Sequence, residues 1–114
     1  MGSRNAKIPY VQGGMLYKFD GTPVCRVGSR TGWLDWLNNE AHRSFHFESL
    51  AGMSCTLVKE KRKGSAGQVH RYWYAHKRID NKLRRRYVGK AERMILARLE
   101  QAAIAMSQLE LLGL

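Results

Sequence analysis

The chain has 114 residues, of which 44% are hydrophobic and 25% charged, and its formal net charge is +11 with a pI of about 10.2. This composition excludes an intrinsically disordered chain, and no stretch approaches the ~20 apolar residues that span a bilayer. The two cysteines, Cys25 and Cys55, belong to no CxxC motif and follow no secretory signal, so we predict free thiols, a soluble protein and a cytoplasmic location.

The amino-terminal part carries a signature of one hairpin. Residues 1–12 have little periodicity of either kind, so we predict a flexible arm there and a single domain over residues 13–114. Residues 15–19 and 24–27 flank the segment Asp20-Gly21-Thr22-Pro23. An Asp-Gly pair followed by proline is typical of a reversal between two strands, which predicts an opening hairpin.

One short helix and two strands are predicted next. Residues 33–37 place apolar side chains at positions i, i+1, i+3 and i+4, and they follow Thr31, a residue type that caps helices. The helix should end near Asn38. Residues 44–48 and 53–58 alternate with a period of two, as strands do.

The positive charge is concentrated in one third of the chain. Thirteen of the twenty Lys and Arg residues lie between Lys59 and Arg93, where only Glu60, Asp80 and Glu92 oppose them. Aromatic residues alternate with these cations, which indicates a folded sheet rather than a disordered tail. A basic surface of this kind favours a polyanionic partner, and nucleic acid is the first expectation.

This basic third is predicted to be a three-stranded antiparallel meander. Residues 61–67 should form a basic loop, residues 71–78 and 84–88 two strands, and Asp80-Asn81 a two-residue turn. From residue 91 onward apolar residues recur at helical spacing, which predicts a helix of about five turns. The predicted fold class is therefore α+β: a small antiparallel sheet, made of the meander and the opening hairpin, packed against a C-terminal amphipathic helix.

The two-residue turn fixes which side chains of the meander share a face. One face, predicted to be the core, collects Tyr72, Tyr74, His76, Leu83 and Tyr87. The opposite face and the segment before it supply the predicted nucleic-acid contacts: Lys59, Lys61, Arg62, Lys63, Arg71, Trp73, Lys77, Lys82, Arg84 and Arg86. A turn of three or five residues would exchange the two faces.

No catalytic or metal-binding arrangement stands out. The nine carboxylates are scattered, and His42 and His46 are four residues apart in a predicted strand, where that spacing does not converge on a metal. His70 and His76 are each predicted to be a packed or hydrogen-bonding imidazole. We therefore predict a protein that is not an enzyme and has no metal or cofactor, with a metal-free ribonuclease built on His, Lys and Tyr as the alternative.

Six motifs occur in order between Trp33 and Ala103: Trp33-Leu34-x-Trp36-Leu37, Ser44-Phe45-x-Phe47, Lys59-Glu60, Tyr72-Trp73-Tyr74-Ala75, Arg85-Arg86-Tyr87-x-Gly89-Lys90 and Leu96-x-x-Leu99-Glu100. Together they resemble the amino-terminal region of large bacterial LuxR-family, MalT-like regulators. The sequence has no counterpart of the nucleotide-binding and helix-turn-helix parts of those regulators, so their function is not carried over as a whole.

Residues 72–90 and the helix around Leu99 are also similar, in order and length, to the arm-binding domains of tyrosine recombinases and to AP2-type domains. In those domains a three-stranded sheet backed by one helix lays its open face into the DNA major groove. The resemblance implies a small DNA-binding module from a regulator, a plasmid or a mobile element, with these contacts: Arg71, Trp73, Lys77, Arg84 and Arg86.

The functional prediction is a module that binds double-stranded DNA and regulates transcription or replication. One alternative is single-stranded DNA or RNA, with bases stacked on Trp73. Another is a protein-interaction accessory or inhibitor of a nucleic-acid machine, docking through the apolar tail of residues 109–114, which carries Leu109, Leu111, Leu112 and Leu114. The same tail and the C-terminal helix are the predicted interface of a homodimer, and no membrane partner is expected.

Overall fold

The computed structural model describes residues 7–112, and these form one sheet covered by two helices. The elements in chain order are β1 (Tyr10–Gln12), β2 (Met15–Tyr17), β3 (Pro23–Arg26), α1 (Gly32–Asn38), β4 (Ser44–Glu48), β5 (Ser54–Lys63), β6 (Val69–Ile79), β7 (Lys82–Gly89), a 3₁₀ turn (Ala91–Arg93) and α2 (Leu96–Leu112). The α+β class is confirmed, as are the opening hairpin and the short helix after it.

The seven strands form a single sheet in the order β3-β2-β1-β4-β5-β6-β7. Neighbouring strands are antiparallel except β1 and β4, which run parallel and join two antiparallel meanders. β1 lies inside the segment predicted to be a flexible arm, with Val11 paired to Phe47 and fully buried. The arm prediction is therefore wrong for Tyr10–Gln12. Residues 1–6 lie outside the described part of the chain.

The turn between β6 and β7 has the predicted two residues. Asp80 and Asn81 both have positive φ, 51° and 66°, the conformation of a type I′ turn, whose twist matches that of the flanking strands. The predicted pairing of Ile79 with Lys82 is confirmed. Farther from the turn, the register of β6 against β7 shifts beside Trp73. Trp73 pairs with Gly89, whereas an unbroken register from the turn would pair it with Val88.

Both helices pack on the same face of the sheet. Trp33 of α1 meets Phe45 of β4 edge-on, with ring centroids 5.6 Å apart, and its Nε1 donates to the carbonyl of Met94 at 2.6 Å, just before α2. This hydrogen bond is buried and links the two helical segments. The largest fully buried side chains on the sheet belong to this face: Val11, Leu16, Phe45, Phe47, Leu57 and Trp73.

The helix boundaries differ from the predictions in two details. Thr31 makes no side-chain cap to α1, and Ser29 Oγ accepts from the backbone N–H of Trp33 at 3.1 Å instead. α2 begins at Leu96, later than the apolar pattern indicated, because Met94 leaves the helical region with ψ of 67°. The predicted apolar stripe is buried apart from Ile95, which is half-exposed.

The carboxyl end of α2 extends past the core. Leu109 packs against the core, whereas Leu111 and Leu112 are 86% and 69% exposed. Of the predicted tail, residues 113–114 lie outside the described range. In residues 7–112, neither helix has the length and apolarity needed to cross a bilayer.

Candidate nucleic-acid interface

The predicted assignment of the two faces of the meander is wrong. Trp73 is only 1% exposed and Ala75 is fully buried, because β5 pairs with β6 so that Leu57 lies opposite Ala75. Odd-numbered positions of β6 therefore share a face with the apolar side chains of β5 and pack under the helices. Trp73 is a core residue and not a nucleic-acid contact.

Three of the predicted contact cations are engaged in ion pairs on the helical side of the sheet. Lys61 and Arg71 both pair with Glu40, which follows α1, and their hydrogen bonds hold the pKa of Glu40 at about 2. Lys77 lies 3.5 Å from Glu110 of α2. These cations tie β5 and β6 to the helical layer instead of lining an open sheet face.

Lys59 caps the end of α1. Its Nζ donates to the carbonyls of Leu37 at 2.6 Å and Asn39 at 2.9 Å, and it lies 5.4 Å from the ring centroid of Trp73. Carbonyls at a helix C-terminus lack intrahelical partners and attract a cation. Burial lowers the pKa of Lys59. The predicted nucleic-acid contact is therefore a structural residue.

Lys59→Met should lower the free energy of unfolding by about 1–2 kcal/mol, since the carbonyls at the end of α1 lose a charged donor. Lys61→Met removes the same charge from an exposed pair and should change the free energy of unfolding by less than about 0.5 kcal/mol. Urea denaturation of the two variants measures the difference. Equal effects would contradict the capping role of Lys59.

The remaining predicted cations stay accessible, apart from Arg84, which is half-buried. Lys61–Lys63 were predicted to lie in a loop, but they end β5 because the eleven-residue β6 continues far enough to pair with them. Accessible positions are spread over two strands: Arg62 and Lys63 on β5, Lys82 and Arg86 on β7. Between β7 and α2, Arg86 and Arg98 line a small cavity of about 110 Å³.

The opposite side of the sheet, which we call the uncovered face, carries all five tyrosines of the sequence. Strand register places them there: Tyr10 pairs with Tyr17, Tyr74 pairs with Tyr87, and Tyr72 precedes Tyr74 by two residues on β6. Pairing from Tyr10 through β4 and β5 to His76 makes this face continuous. No helix of residues 7–112 packs on it.

The tyrosine rings form two groups. On β1 and β2, Tyr10 and Tyr17 stack with centroids 5.1 Å apart. On β6 and β7, Tyr87 lies 5.5 Å from Tyr74 and 6.0 Å from Tyr72, and it is 53% exposed. The other four tyrosines are partly exposed. Solvent-accessible aromatic rings on a sheet are the surface on which nucleobases stack.

One carboxylate among these rings is surrounded by cations. Both oxygens of Glu60 accept from Arg85 Nη2, at 2.6 and 2.7 Å, and Arg62 Nη2 lies 3.9 Å from Glu60 Oε1. Nε2 of His76 lies 3.6 Å from the same carboxylate without a hydrogen bond. Burial, followed by the charge of Arg85, lowers the pKa of His76. The lowered pKa favours the neutral imidazole, so the positive charge beside Glu60 comes from the two arginines.

Three other observations bear on function. An apolar pocket of about 320 Å³ lies on the helical side, where Phe19, Val24, Trp36 and His42 line it. Among the described residues, no three His, Cys, Asp or Glu side chains gather where they could hold a metal ion. Burial raises the pKa of Cys55 to about 12, so this thiol is protonated at neutral pH.

The basic meander coincides with the part of the chain that resembles a known family. A family model described as a domain of unknown function, DUF6788, matches residues 50–98. This stretch contains β5, β6, β7 and the first turn of α2, and with them Glu60 and the tyrosine group around Tyr87. No curated protein matches the chain, and neither does any solved structure.

Sequence reasoning missed the residues that this face displays. It placed the tyrosines of β6 and β7 in the core, and it gave Tyr10, Tyr17 and Glu60 no role. The tyrosine hydroxyl could have indicated which face is exposed. A tyrosine can lie at the surface with its hydroxyl in water, whereas Trp73 and Ile79 are better accommodated in the core.

Proposed function

We propose that this protein binds single-stranded nucleic acid, RNA or DNA, across the uncovered face. The observation that carries the proposal is the gathering of all five tyrosines on that face, where no described helix covers them. A base stacked on an aromatic side chain contributes about 1–3 kcal/mol to binding, whatever its identity. The uncovered face should therefore bind single-stranded nucleic acids of different sequence with similar affinity.

Cations near the rings support the same proposal. Lys90 Nζ lies 5.7 Å from the ring centroid of Tyr72, and Arg85 stacks on Tyr74 at 4.4 Å. Arg78 projects from the same face and is exposed. Each stacked base brings a phosphate with it, so cations beside the rings are placed to neutralise the backbone of a bound strand.

The shape of the uncovered face favours a single strand over a duplex. Seven strands at about 4.8 Å spacing make a surface about 29 Å wide, whereas the DNA major groove is about 12 Å wide and admits a helix or a two-stranded ribbon. Paired bases are also stacked on each other and cannot lie flat on tyrosine rings. Single-stranded nucleic acid has no groove to be entered, and its bases are free to stack on the tyrosine rings.

Duplex DNA is a second candidate, favoured by the β6–β7 hairpin alone. This two-stranded ribbon carries the exposed cations Arg78, Lys82 and Arg86 and turns tightly at Asp80–Asn81, so its tip is narrow enough for a groove. In that mode the contacts would be mostly to phosphates, and the tyrosines would take no part.

Fluorescence anisotropy titrations with a labelled 20-nucleotide strand of RNA, the same strand of DNA and the DNA duplex test both candidates. We expect both single strands to bind more tightly than the duplex, with affinity falling steeply as salt rises. Preference for the duplex would shift support to the hairpin mode. No binding of any of the three at low salt would refute both and leave the protein-interaction alternative.

A further inference from the structure

Glu60 of β5 is an acidic residue beside the tyrosine group on β6 and β7, and it pairs with Tyr72 in the sheet register. Its carboxylate makes two short hydrogen bonds to Arg85 and lies 3.9 Å from Arg62. Arg62 Nη2 is also 3.4 Å from the hydroxyl of Tyr74, and the guanidinium of Arg85 covers the ring of Tyr74. One carboxylate thus accepts hydrogen bonds from Arg85 and lies near Arg62, and both arginines stand beside Tyr74.

The chemistry of this cluster is that of a phosphate site. A carboxylate and a phosphodiester each present two anionic oxygens, and the guanidinium fork of arginine matches either one. The rings of Tyr72 and Tyr87 are 6.0 Å apart: Tyr72 lies opposite Glu60 in the β5–β6 register, and Tyr87 follows Arg85 by two residues on β7. Bases on either side of a bound phosphate would stack on these two rings.

We propose that Arg62 and Arg85 form a phosphodiester-binding subsite, and that the Glu60 carboxylate occupies this subsite until a nucleic-acid strand displaces it. The inference rests on the proposed function and specifies where the backbone of the strand is held. Displacement requires the Glu60 side chain to rotate away and to give up its ion pair with Arg85. Glu60 therefore lowers the affinity of the face for nucleic acid.

Glu60→Gln tests this directly, because glutamine keeps the size of the side chain and loses its charge. We expect the variant to bind the single strand about 5-fold more tightly at low salt, the effect of one exposed ion pair that no longer competes. Wild type and variant make the same phosphate contacts once the strand is bound, so the slope of log affinity against log salt should stay the same.

Glu40→Gln is the matched control. Glu40 also pairs with two cations, Lys61 and Arg71, but on the helical side of the sheet, and its loss changes the net charge by the same amount. Glu40→Gln should therefore change affinity by less than about 2-fold. Thermal melts establish that both variants are folded before the titrations.

Arg85→Gln, made both in the wild type and in the Glu60→Gln variant, provides a second measurement. It should weaken binding more in the Glu60→Gln background than in the wild type, where the guanidinium is already engaged. If the wild type binds while Glu60→Gln binds equally or more weakly, Glu60 only positions Arg85, and the displacement is refuted although the proposed function stands. If no variant binds a strand, both fail together.

Discussion

Replacing Trp73 by alanine should lower the free energy of unfolding by about 3–5 kcal/mol, the usual loss for a large aromatic side chain in a core. Trp73 is 1% exposed, packs against Phe45 with ring centroids 5.4 Å apart, and lies under the Lys59 ammonium. For a small domain whose total stability is about 5–15 kcal/mol, a loss of this size leaves a substantial unfolded fraction.

Tyr74→Ala is the comparison for Trp73→Ala, because it alters the adjacent position of the same strand on the opposite face. Tyr74 contacts Tyr87 and Arg85 at the surface, so its removal should lower the free energy of unfolding by about 1 kcal/mol. Chemical denaturation followed by circular dichroism measures both values. A fully stable Trp73→Ala protein that no longer bound nucleic acid would overturn the face assignment.

Replacing Tyr72 and Tyr87 together by serine should weaken single-strand binding by at least about 30-fold, because two stacking surfaces are lost at no less than about 1 kcal/mol each. The slope of log affinity against log salt should stay the same, since neither tyrosine carries charge. A loss of affinity with an unchanged slope would indicate lost stacking. A loss of charge neutralisation would instead change both the affinity and the slope.

Phe19→Ser is the control for the tyrosine substitutions. Phe19 is 54% exposed, nearly the same as Tyr87 at 53%, but it borders the apolar pocket on the helical side. Its removal should leave single-strand affinity within about 2-fold of the wild type, as measured by the same anisotropy titration. An equal loss from Phe19→Ser would mean that general surface hydrophobicity, not the uncovered face, governs binding.

Local sequence signals were sufficient for the elements and for one turn. Asp80-Asn81 predicted a two-residue turn, and the pairing that such a turn implies, Ile79 with Lys82, is confirmed. These features follow from the backbone preferences of a few adjacent residues. The register shift beside Trp73 depends on tertiary packing and could not be predicted from adjacent residues.

The choice of face could not be made from the β6–β7 hairpin because both of its faces mix aromatic residues with cations. The deciding fact is the register of β5 against β6, which puts Leu57 opposite Ala75. That register depends on the turn at residues 64–68, whose glycines and polar residues allow several lengths. Lys59 was misread for a related reason, since its long aliphatic stem runs along the core while its ammonium reaches the end of α1.

Long-range strand pairing accounts for the remaining differences between the predicted and the observed elements. β1 has only three residues, and its parallel alignment with β4 joins segments about thirty-five positions apart, which no local pattern records. Lys61–Lys63 look like a loop in isolation and become a strand because β6 is long enough to pair with them. In both cases a distant partner determines the local structure.

β7 is the last strand of the sheet, and within residues 7–112 its outer backbone groups meet no further strand. An open strand of this length offers a template on which a second molecule can add its own edge. Lys82, Arg84 and Arg86 alternate along it, and like charges on two such edges repel each other. Pairing of two β7 edges would make a two-fold dimer, so variants that neutralise these residues should associate through β7 more readily than the wild type.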